Sequence, residues 1–85
     1  MITFVNAVDR DGDAQVSVQI NDRDNFHFLM SHEAIFDFLR GEFEGVLSPA
    51  EALHRNWDRF KPAIESVLRR HRTDFEVLTS EMLNP

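Results

Sequence analysis

The chain has 85 residues, 42% of them hydrophobic and eight of them Phe, no Cys, and 15 acids against nine Lys and Arg, a formal charge of −6. That length suits one domain spanning 1–85 without a linker, and a few large rings can build its single core without disulfides or a structural metal. Thiolate catalysis and zinc–thiolate sites are excluded, the acidity disfavours generic attraction to nucleic acid or anionic lipid, and no run approaches the ~18 apolar residues of a membrane span.

At the start, Ile2, Phe4 and Val8 suggest a strand. Asn6, Asp9 and Arg10 interrupt the segment before a signal-peptide core forms, so a soluble, cytoplasmic protein is expected. Asp9-Arg10-Asp11-Gly12-Asp13 supplies the Asp-Gly chemistry of a tight hairpin. Val16, Val18 and Ile20 then alternate with Gln15, Ser17 and Gln19, the period of a strand with one buried face. A turn at Asn21 to Asn25 leads to a third strand, in which Phe26, Phe28 and Met30 alternate with His27, Leu29 and Ser31.

Ser31 is placed to cap a helix whose first turn holds Glu33 and whose end precedes Gly41. Ile35, Phe36 and Leu39 form its apolar stripe, widened by Phe38. After a connection at 42–47, Ser48-Pro49-Ala50-Glu51 combines an N-cap, a proline at the first helical position and a capping-box Glu. Leu53, Trp57, Phe60, Ile64, Val67, Leu68 and His71 then keep helical phase, predicting one helix bent near Asp58 to Lys61 by Pro62. Phe75 to Thr79 reads as a last strand. The expected fold is therefore α+β, a small antiparallel sheet in the order β-β-β-α-α-β with two helices on one face.

Met30-Ser31-His32-Glu33-Ala34-Ile35, the stretch from Asn56 to Glu65, and Val77-Leu78-Thr79-Ser80-Glu81, taken with the length, resemble the bacterial family called domain of unknown function 1488. The resemblance covers most of the chain. It implies a compact βββααβ domain of bacterial origin, and it implies no activity and no catalytic residues.

Several constellations that could carry chemistry have plainer readings. Ser31, His32 and Glu33 are consecutive at a helix start, so they point about 100° apart and cannot relay a proton in series. Asp9, Asp11 and Asp13 lack a calcium loop's glycine at the sixth position and its Glu at the twelfth. His27, His32, His54 and His71 show no paired metal spacing. No catalytic, cofactor or metal site is expected, and an enzyme is the least favoured class. Residues 1–51 carry ten acids and three Arg, while 52–85 carry five acids and six bases. Acidic turns and helix starts account for this asymmetry.

Two function classes remain. The first is an interaction or self-associating module, a homodimer or the partner of another protein. With Val16, Val18, Ile20, Phe26, Phe28 and Phe75 inward, the opposite sheet face would expose Leu29 and Leu78, and Val5 and Ala7 if Phe4 also points in. A tail folded back through Met82 and Leu83 could instead cover them. The second is a nucleic-acid-associated regulator that grips phosphates with Arg55, Arg59, Arg69 and Arg70. Glu51 and Glu65 precede Arg55 and Arg69 by four residues, however, the order that neutralises helical arginines, and no aromatic interleaves to stack bases.

Overall fold

The computed structural model describes every residue from Met1 to Pro85. Three antiparallel strands come first, β1 (Ile2–Arg10), β2 (Asp13–Ile20) and β3 (Asp24–Met30), each paired with the next. Asp11 and Gly12 alone join β1 to β2, both with positive φ (51° and 88°). A two-residue loop with this twist matches the twist of the flanking strands, and Asp-Gly tolerates it.

Helix α1 (His32–Phe38) begins at Ser31, whose Oγ accepts the Ala34 N–H at 3.1 Å. It ends in a tight turn in which the Gly41 N–H reaches back to the Phe36 carbonyl at 2.8 Å. Helix α2 (Pro49–Arg55) begins as its sequence implies, with the Ser48 Oγ accepting the Glu51 N–H.

The long bent helix is instead two helices. α2 stops at Asn56 (φ −116°, ψ 24°), and α3 runs unbroken from Trp57 to His71 through Pro62. Asn56 makes the stop by turning its side-chain amide onto the Ala52 carbonyl at 2.8 Å, competing with the helical ladder as short polar side chains do. Trp57 leaves the break tilted against Phe4 of β1, with ring centroids 4.8 Å apart.

The sheet is also mixed rather than wholly antiparallel. β4 (Val77–Leu78) lies beside β3 and parallel to it. The three helical segments between them provide the long crossover that a parallel pair requires. A final turn, α4 (Ser80–Leu83), packs against α1 and α3, so Met82 and Leu83 join the core side and leave the other sheet face bare.

The core contains 18 buried residues, none of them polar. Val16, Val18, Phe28, Phe36, Leu39, Phe60 and Ile64 are among them, and Ile20, Phe26, Trp57 and Phe75 pack partly buried at the margin. His71, expected on the apolar face of the helix, is exposed. No helix is long and apolar enough to cross a membrane.

Candidate interaction surface

Strand pairing arranges the uncovered sheet face in three rows. Thr3, Gln19 and Asn25 form one end, Asn6, Ser17 and His27 the middle, and Val8, Gln15, Leu29 and Val77 the last, which crosses all four strands. Val5 belongs to the same face because it is the extra residue of a β-bulge: Phe4 pairs with Val18 and Asn6 with Ser17.

That bulge changes which apolar residues are outside. After it, Ala7 pairs with Val16 and turns toward the helices, half-buried, while Val8 turns out. The expectation for Ala7 is thus corrected, because two residues of β1 oppose one of β2 and reverse the alternation beyond. Leu78 is corrected too. It is fully buried, and its neighbour Val77 is the outward residue. A bend at Glu76 separates Phe75 from the two-residue strand, so the orientation of Phe75 does not propagate to Leu78. Val5 and Leu29 lie on the open face as expected. Val5, Val8 and Val77 are 55%, 49% and 40% exposed, enough to be contacts for a partner.

In a chain with 15 acids, none alternates onto these three rows. Asp13 stands at the end of β2 and is drawn away, its Oδ1 accepting the His32 N–H at 2.9 Å. Charges reach the face only at its ends, where the Arg10 guanidinium donates to Gln15 Oε1 at 3.1 Å and the Asp22 carboxylate accepts the Thr3 hydroxyl at 3.5 Å. At the centre, Ser17 Oγ and His27 Nδ1 lie 2.7 Å apart.

The carboxylates have structural work elsewhere. Asp9 Oδ1 accepts the Ala50 N–H at the start of α2, 41 residues away. Glu65 Oε2 accepts the Ile2 N–H at 2.9 Å and so faces the start of β1 instead of pairing with Arg69. Asp37 accepts the Ser80 hydroxyl at 2.6 Å and anchors the last helix.

Three of the four arginines engage separate neighbours. Arg55 on α2 pairs with Glu51 at 2.6 Å, and Arg59 on α3 with Glu42 at 3.3 Å. Arg70 donates to the Met82 carbonyl at 2.8 Å. Arg69 borders a shallow groove of about 430 Å³ with Ile2, Ile20, Glu65 and Leu68. The break at Asn56 separates the Arg55 end from the rest, and two of the four charges are compensated.

A second groove, of about 600 Å³ between β1 and α2, contains Asp9, Ser48 and His54, the residue types of a hydrolytic triad. They are not joined. Ser48 and Asp9 spend their oxygens on helix N–H groups, and the His54 ring packs against Phe4. Such an arrangement fixes backbone and provides no proton relay. No group of three or more His, Cys, Asp or Glu converges as a metal site. Comparison of the chain with family models, curated proteins and solved structures finds no match.

Proposed function

We propose that the protein is a non-catalytic interaction module that self-associates through the open face of its sheet. The observation that carries this reading is the face itself: Val8, Leu29 and Val77 in one row with Gln15, beside Val5, with no carboxylate alternating onto the three rows in an acidic chain. Two copies that each carry −6 repel through most of their surfaces. The open faces are where they meet at the least electrostatic cost, and a two-fold contact needs only that one face be compatible with itself.

The size of the face sets the strength. With strands ~4.8 Å apart and residues ~3.3 Å apart, each copy offers about 400 Å². A total of about 800 Å² falls below the standard size of specific interfaces, where association is weak and transient. The resemblance to the family called domain of unknown function 1488 implies a compact bacterial domain and no activity of its own.

Sedimentation velocity near pH 8, from ten to several hundred micromolar, tests the reading. The expected result is a concentration-dependent monomer–dimer equilibrium that Val77→Glu abolishes, since the change places two carboxylates in a dry contact. A wild type that stays monomeric throughout overturns it, and so does a dimer indifferent to Val77→Glu.

A further inference from the structure

We propose that the Ser17–His27 pair makes this self-association sensitive to pH, with the contact released on mild acidification. The inference rests on the open-face reading above. His27 lies in the middle row, so a two-fold contact over the face brings it close to the partner copy, and its Nδ1 already meets Ser17 Oγ at 2.7 Å.

The surroundings decide which protonation state the contact tolerates. Across β2 the neighbour is Ser17, on β1 the same row ends at Asn6, and along β3 Asn25 and Leu29 flank the ring on its own face. Asp24 alternates away from that face, and Asp13 is held by the His32 N–H. Two charges reach the face at its opposite ends: the Arg10 guanidinium, in the row beyond Gln15, and the Asp22 carboxylate, which accepts the Thr3 hydroxyl at 3.5 Å. No carboxylate lies in the His27 row or flanks the ring along β3, so an imidazolium has no direct counter-ion there. In the dimer a charged His27 would lose water and gain no counter-ion.

The sign follows by linkage. A separated copy can take up a proton on the exposed ring, whereas the contact holds it neutral, so falling pH favours separation. With one such ring held neutral from each copy, two coupled protonations oppose the contact, and the dissociation constant should rise about 100-fold between pH 8 and pH 5.5. Overall charge acts in the opposite direction. Approaching the sequence pI of about 5.0 weakens the mutual repulsion of the copies and should tighten any nonspecific association. A contact that loosens over this range thus identifies His27 and not the net charge.

Sedimentation of the full chain at about pH 8 and pH 5.5, at constant ionic strength, provides the test, with circular dichroism at both values. The expected result is a dimer near pH 8, a folded monomer at pH 5.5, and a His27→Gln variant that dimerises equally at both, since the amide can still meet Ser17. A wild-type dimer equally tight or tighter at pH 5.5 overturns the switch and leaves self-association standing. Separation accompanied by unfolding, or retained in His27→Gln, also overturns it. A monomer at pH 8 removes the self-association reading itself.

Discussion

The two faces of the sheet are made from the same three long strands and differ in what each asks of a side chain. On the covered face Val16, Val18 and Phe28 meet helices and are buried, so size and shape are constrained at every position. On the open face Gln15, Ser17, Gln19 and His27 are tolerated between exposed valines. Chemistry there is constrained only by solubility and by whatever docks. The covered face is thus the source of stability and the open face the candidate source of function.

Val77 and Leu78 give the sharpest way to separate the two faces, because they are adjacent in sequence and opposite in orientation. Leu78→Glu places a carboxylate in a site with no polar neighbour in the core and should cost upwards of about 4 kcal/mol. For a domain whose whole stability is of order 5–10 kcal/mol, a melt should show it largely or wholly unfolded. Val77→Glu should move stability by no more than about 0.5 kcal/mol while removing the dimer. If the two variants melt alike, the assignment of faces is wrong.

Phe60→Ala comes next. The ring is fully buried against Phe38, 4.5 Å away between centroids, and its loss should cost about 3–5 kcal/mol by denaturant titration, with no independent effect on a surviving dimer. Smaller still, Ser31→Ala and Ser48→Ala should each cost about 1 kcal/mol by removing a helix cap. Arg55→Gln should change stability by no more than about 0.5 kcal/mol, because its ion pair with Glu51 is exposed.

How legible each face was in the sequence follows from the same contrast. β2 and β3 alternate without interruption, so their inward residues could be read directly, as could both serine caps and the Asp-Gly turn. β1 could not be read past Val5, because a bulge inserts a residue without a compositional signature. β4 is two residues long and has no period to read. Asn56 sits within an apolar pattern that keeps phase on both sides, so the pattern concealed the break and Pro62 drew attention away from it. Of the proposed contacts, Val5 and Leu29 were legible, while Val8 and Val77 required the register.

The carboxylates that tie the first strands to distant elements imply an order of events in folding. The β1–β2 hairpin closes over two residues, whereas the Asp9 tie to Ala50 and the Glu65 tie to Ile2 span 41 and 63 positions. Local contacts cost little loop entropy and form early; long closures come late. Removing a late contact chiefly speeds unfolding. Asp9→Ala and Glu65→Ala should therefore steepen the loss of the native state, raising the unfolding arm of a chevron and leaving the refolding arm nearly in place. Gly12→Val, in a turn with φ +88°, should slow refolding instead.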